Sequence, residues 1–162
     1  VKALARTTTA LQSVEEGERF LVDGPYGVFG QAALESDRPI VMLAGGIGVT
    51  PFRRLIDELR DHTGREAFLF YGSQQEETIA HREEVDQAPH VEVIHVLSGV
   101  EEHEDLEVGF ITMGLLRKYL PEEFPRYDFL ICGPPVMIRK LESALRDQGV
   151  PRGQVHHELF SY

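Results

Sequence analysis

The residues best suited to chemistry gather at two turns. Ala44-Gly45-Gly46-Ile47-Gly48-Val49-Thr50-Pro51 follows an apolar run at 40–44 and leads into an amphipathic stretch. Glycines at such a bend let the backbone come close to a bound group, and the free N–H groups that open a helix stabilise a phosphate. The same glycines would equally serve a tight strand-to-helix turn with no ligand. The motif is not a Walker A loop, because no Gly-Lys-[Ser/Thr] follows, and its spacing is not G-x-G-x-x-G. The second turn is Cys132-Gly133-Pro134-Pro135, after the apolar run 129–132. Parallel α/β sheets bind ligands beyond the carboxyl ends of their strands, so Gly45 and Gly133 would face one cleft if their strands are neighbours. Taken alone, Cys132 reads as a small buried apolar residue, and Pro134-Pro135 as a helix start.

Other constellations carry less. His156-His157-Glu158 begins like a zincin helix, but the position needed for the second His is Ser161. Adjacent histidines on a strand point to opposite faces and do not share a metal, so no metal site is expected. No G-x-S-x-G nucleophile elbow occurs. The 162 residues carry 16 Lys+Arg against 27 Asp+Glu, a net charge of −11, which argues against a nucleic-acid footprint. One Cys excludes an internal disulfide framework and an iron-sulfur cluster within the chain.

The elements that must position these turns alternate. Apolar runs at 40–44, 67–71, 91–97 and 129–132, with a fifth at 155–160, read as strands, and amphipathic stretches lie between them. The third run, with Glu92 and His95, reads as nearer an edge. Phe52, Leu55, Ile56 and Leu59 follow i, i+3, i+4, i+7 and predict a helix entered at Pro51. Ile138, Leu141 and Leu145 predict another, opened by Pro135 and stopped by Gly149 and Pro151. Weaker helices are expected at 76–87 and 112–119, the latter after a solvated acidic turn at 101–107. The expected fold is α/β, a three-layer Rossmann-like arrangement of about five parallel strands with helices on both faces. Residues 1–36 fall outside that scheme. Within them a strand is expected at 19–23 and a turn at Gly24-Pro25-Tyr26-Gly27.

Five motifs taken together resemble those of a known family. Gly24-Pro25-Tyr26-Gly27-x-Phe29, the Ala44 to Pro51 motif, Phe70-Tyr71-Gly72-Ser73, Cys132-Gly133-Pro134-Pro135-x-Met137 and Glu158-x-Phe160 occur in the order and spacing of the ferredoxin-NADP reductase superfamily. Gly109-Phe110-Ile111-Thr112 and the His-Glu-x-Phe ending look most like bacterial ferric reductase and NADPH oxidase-like dehydrogenase domains. The resemblance implies a pyridine-nucleotide-binding domain at 37–162, preceded at 1–36 by the tail of a flavin-binding barrel and its connection. The barrel's Arg-x-Tyr-[Ser/Thr] motif does not occur here.

The resemblance also assigns roles. Gly45, Gly46, Gly48, Val49, Thr50 and Pro51 would hold the pyrophosphate and nicotinamide ribose, with Gly72, Ser73, Ser98 and Phe110 along the rest of the dinucleotide. Cys132 would lie beside the nicotinamide, with Gly133, Pro134 and Met137 shaping that pocket. Glu158 would help position the ring, and Phe160 would stack over the flavin, with Tyr162 a rival for that place. The implied cofactors are NADH or NADPH, and FAD bound mainly by a domain absent from this chain. Cys132, Glu158 and Thr50 are the expected catalytic group.

Where NADP-dependent relatives place Ser-Arg, then Lys and Tyr, this chain has Ser98-Gly99, Val108 and Phe110, with Glu101, Glu102, Glu104, Asp105 and Glu107 between them. A 2′-phosphate needs a cation nearby, so the exchange favours NADH, with Arg82 and Arg65 the cations left to oppose that choice. The expected whole is an NAD(P)H:flavin oxidoreductase, cytoplasmic or the cytoplasmic face of a membrane-anchored flavocytochrome, inactive without its flavin domain. It would pass electrons to haem, oxygen, iron or a protein. The alternatives are the reductase component of an oxygenase, a flavohaemoglobin, or a non-catalytic nucleotide-binding module. Phe29, Leu159 and Phe160 would be exposed along the former domain interface and could drive self-association.

Overall fold

A computed structural model of the chain describes residues 9–21, 27–59 and 64–159. They belong to two units, a leading one that ends at Val28 and a main one that begins at Phe29. In the leading unit the 3₁₀ turn Leu11–Ser13 is tied by the Ser13 hydroxyl donating to the Ala10 carbonyl at 2.8 Å. Arg19 to Leu21 form no strand, and the rest of the strand expected at 19–23 lies outside the described residues, as do Gly24, Pro25 and Tyr26.

The main unit is a six-stranded sheet whose pairs are all parallel. Its strands are β1 (Ile40–Gly45), β2 (Ala67–Ser73), β3 (Val91–Leu97), β4 (Glu107–Val108), β5 (Asp128–Cys132) and β6 (Val155–Glu158), in the order β4-β3-β2-β1-β5-β6. Its helices are α1 (Gln31–Leu34), α2 (Thr50–Leu59), α3 (Arg82–Asp86), α4 (Met113–Tyr119) and α5 (Pro135–Asp147). β1 is central and buried throughout, which its unbroken Ile-Val-Met-Leu-Ala-Gly run requires.

The two faces of the sheet build two cores. Ile40, Met42 and Ala44 pack with Leu69, Tyr71, Leu130 and Cys132 beneath Phe52, Leu55, Ile56 and Leu59 of α2. Val41 and Leu43 pack with Phe70, Phe129 and Ile131 beneath Leu116 of α4 and Ile138, Leu141 and Leu145 of α5. Each large side chain so buried contributes roughly 1.5–3 kcal/mol. The helix stripes are those expected from the sequence. α5 ends as expected, with Gly149 at φ +81° just beyond it. Thr112 caps α4, its hydroxyl accepting from the Leu115 N–H at 3.2 Å.

Three expectations change. A sixth strand appears, because Glu107 and Val108 at the end of the acidic turn pair with Val96 and Leu97. Two residues are too short a run to show periodicity. β3 has β2 alone beside it along Val91 to His95, which is the edge character its polar residues suggest. The helix expected at 76–87 is broken into a 3₁₀ turn, Glu76–Thr78, and α3. The Tyr71 hydroxyl accepts from the Ala80 N–H at 2.9 Å and donates to the Ala80 carbonyl at 3.2 Å, taking both groups a helix would use. His81 then turns back at φ +58°. Finally, Phe29 lies half-buried with its ring 5.6 Å from that of Phe52, so it belongs to the core rather than to an exposed face.

Candidate functional site

The chain direction along the sheet order reverses between β1 and β5, and this switch point brings the two glycine turns together. A Cβ on Gly133 would lie 3.0 Å from the Gly45 Cα, and one on Gly45 would lie 2.7 Å from Pro134 Cδ and 2.7 Å from Met137 Sδ. The two bends touch back to back. A Cβ on Gly48 would stand 2.2 Å from the Cys132 carbonyl oxygen. These three glycines are therefore required by the protein's own packing.

Gly46 is different. It sits at φ +55°, and nothing lies within 4 Å of where its Cβ would be. Gly72, in register with Gly45, would also accept a methyl in ordinary contact with Ala44 and Ile111. Gly46 opens a 3₁₀ turn, Gly46–Val49, that runs directly into α2, and the residue before it supplies no capping side chain. Open space thus lies beside Gly46, and the turn it opens has no side-chain cap, two features an anion site requires. Thr50 donates its hydroxyl to the Ile47 carbonyl at 3.0 Å and keeps its oxygen lone pairs free, while Val49 is buried and Pro51 half-buried.

Cys132 ends β5 in register with Ala44 of β1 on one side and Glu158 of β6 on the other. Its side chain is wholly buried. Burial, then the nearby Glu158 carboxylate, push its thiol up to about 12, so it is neither thiolate nor nucleophile at neutral pH. Glu158 is half-buried and Leu159 exposed, whereas Phe160 and Tyr162 lie outside the described residues. Of the two adjacent histidines, His157 pairs with Glu142 on α5, Nδ1 to Oε1 2.5 Å.

Farther along the carboxyl edge, Ser98 donates through both its N–H and its hydroxyl to the Ser73 carbonyl, at 2.9 and 3.2 Å. Ser73 is buried, and its own hydroxyl oxygen has no partner. Phe110 is 74% exposed at this edge, with Ile47 and Val136 also exposed. A Cβ on Gly99 would lie 2.6 Å from the Gln74 carbonyl oxygen, so this position admits no side chain without a backbone shift.

The sequence missed a charge chain. Glu76 accepts from Arg82 through one oxygen and from His103 Nε2 through the other, at 3.1 Å for the latter. Arg82 also reaches Asp86 at 3.4 Å, and Asp86 accepts from His95 Nε2 at 2.6 Å. His103 Nδ1 accepts from the N–H groups of Asp105 and Leu106, so its ring carries the proton on Nε2. The chain anchors the acidic turn on the β2–α3 connection. No periodicity signals partners 27 residues apart. Arg82 is consumed by two carboxylates. Arg65 bonds the carbonyls of Arg38 and Ala33 at the opposite, amino edge of the sheet, so neither reserve cation serves this edge.

Among known proteins, residues 42–143 match the family model described as the oxidoreductase NAD-binding domain. A flavohemoprotein of Xylella fastidiosa is 35% identical over 129 residues, covering 76% of this chain and 32% of that protein. NADH-cytochrome b5 reductase 1 of Candida glabrata is 30% identical over 146 residues, covering 85% of this chain and 51% of that one. The chain thus spans about a third of the first relative's length and about half of the second's. Among solved structures, the CS-b5R domains of human Ncb5or in the NAD+ form superpose with a TM-score of 0.83 at 21% identity, over 97% of this chain and 46% of that one. With the strand order and the touching glycine turns already described, these matches mean that the chain belongs to the oxidoreductase NAD-binding domain family, within the ferredoxin-NADP reductase superfamily.

Proposed function

We propose that the chain is the NADH-binding lobe of a flavin-dependent oxidoreductase, whose FAD is held mainly by a domain outside this chain. The observation that carries the reading is the open space before Gly46, set beside the Gly45–Gly133 contact at the switch point. Bound NADH supplies a hydride from the nicotinamide to the flavin, so the protein's work is orientation and electrostatics.

The N–H groups that begin at Gly46 would hold the pyrophosphate, and the Thr50 hydroxyl oxygen a ribose hydroxyl. The Gly45–Gly133 contact forms the floor, and Pro134 and Met137 wall it. Cys132, wholly buried at the end of β5, contributes a neutral, compact packing group behind that floor, and Glu158, one strand over, a carboxylate able to accept from the carboxamide N–H. Donor and acceptor must approach to about 3–3.5 Å, so sub-ångström placement of this floor controls rate.

NADH is preferred because, among the described residues, no free cation stands at the carboxyl edge of β2 and β3. Gly99 excludes a side chain, and Arg82 is already paired twice. On the flavohemoprotein match we assign haem as the destination of the electrons, with this lobe on the cytoplasmic side. The chain alone binds NADH and turns nothing over. The test is rapid mixing of NADH with the full flavin-containing protein. Flavin bleaching followed by haem reduction is expected, and flavin that stays oxidised would overturn the reading.

A further inference from the structure

A groove of about 430 Å³ runs between α5 and β6, lined by Glu142, Arg146, Val150, Arg152, Val155 and His157. Arg146 sits in the last turn of α5, and Val155 opens β6, so the groove lies toward the amino edge of the sheet, away from the glycine turns. Its size is that of a small-molecule site.

Its charge is unusual for a chain of net −11. Arg38, Arg53, Arg54, Arg65, Arg82 and Arg126 each have a carboxylate partner. Among the described residues Arg19, Arg117, Arg139, Arg146 and Arg152 have none, and Arg146 and Arg152 line one groove. The acid there, Glu142, is already engaged by His157 at 2.5 Å. The carbonyl end of α5 opposes an anion and is itself offset by Arg146 in the same turn.

Arg152 stands on a fixed support. It opens the 3₁₀ turn Arg152–Gln154, and the buried Gln154 side chain donates to the carbonyls of Pro125 and Tyr127 at 2.9 and 2.8 Å. Val150, buried, and Val155, half-buried, supply an apolar floor. The turn is thus fixed while the exposed Arg152 guanidinium is unpartnered above an apolar floor, and it can close on a carboxylate or phosphate through two parallel N–H donors.

We propose that this groove binds a small organic oxyanion, a carboxylate or a phosphate ester, at a site separate from the dinucleotide slot. The test is isothermal titration of the protein with citrate and, separately, inorganic phosphate, with NADH present throughout. At least one is expected to bind with Kd near ~1 mM or tighter. The double variant Arg146→Ala/Arg152→Ala is expected to weaken that binding at least tenfold and to leave NADH affinity unchanged. Both arginines are exposed, and the variant's thermal midpoint confirms its fold. Glu142→Gln, which removes the groove's negative charge, is expected to tighten binding severalfold. Failure of both anions to bind below about 10 mM, or equal binding by the double variant, would overturn the proposal. The comparison with the double variant reads the groove whether or not NADH occupies its slot.

Discussion

At the residue scale, glycines of one motif serve two purposes. Gly48→Ala would drive a Cβ into the Cys132 carbonyl and is expected to cost about 1–3 kcal/mol, read as a lowered denaturation midpoint. Gly46→Ala meets no atom and carries only the strain of its positive φ, about 1–2 kcal/mol, but it narrows the space before the helix and is expected to weaken NADH binding more than it weakens the fold. Cys132 lies in a filled core, so Cys132→Leu would overpack it, and Cys132→Ala is the cleaner probe. That variant is expected to slow flavin reduction about 10-fold or more with NADH Kd nearly unchanged, in stopped-flow kinetics. Burial raises this thiol from 9.0 to about 12, so stability is complete below pH 9 and falls as pH climbs toward 12. Denaturation midpoints across that range are expected to decline less in Cys132→Ala. The glycine spacing was readable in the sequence as a bend. Which glycine packs and which leaves room was not, because the deciding atoms belong to residues 132–137, far along the chain.

At the element scale, the two amphipathic helices with clean stripes, α2 and α5, formed where their periodicity placed them. The segment at 76–87 did not, because one tyrosine hydroxyl on a neighbouring strand outcompeted a helix for the groups of Ala80. Propensity reads local preference, and this contact is tertiary. The acidic turn at 101–107 likewise looked solvated, yet His103 fastens it to Glu76, and Glu107 accepts from Lys118 and from Tyr119. Hydrogen bonds from Arg82, then His103, hold the Glu76 carboxyl below its ordinary range. Lys118, then Tyr119, do the same for Glu107. Groups shifted downward stabilise above their ordinary value near 4.5 and lose that contribution as pH falls through the folded value. Amide protection factors in this turn, taken against the intrinsic exchange rate at each pH, are expected to fall on acidification below about pH 4.5, before the β1–β2–β5 core opens. His103→Ala is expected to produce the same loosening at neutral pH.

At the scale of the whole molecule, the strand order does what no single motif can. It sets β1 against β5, so two turns nearly ninety positions apart in sequence become one floor, with Glu158 beside Cys132 on the next strand. The alternating pattern foretold the layers and the parallel sheet. The sixth strand, the back-to-back glycines and the fate of Arg82 required the chain to be folded. Cofactor choice also belongs here, since it depends on several elements meeting at one edge. The kcat/KM for NADH is expected to exceed that for NADPH by about tenfold or more in the full protein. The most direct test is an NMR titration of the isotopically labelled chain with NADH. Amide shifts at Gly46 to Thr50 and at Gly133 are expected to saturate together with one affinity, while saturation confined to residues elsewhere, with those amides unmoved, would contradict the dinucleotide slot.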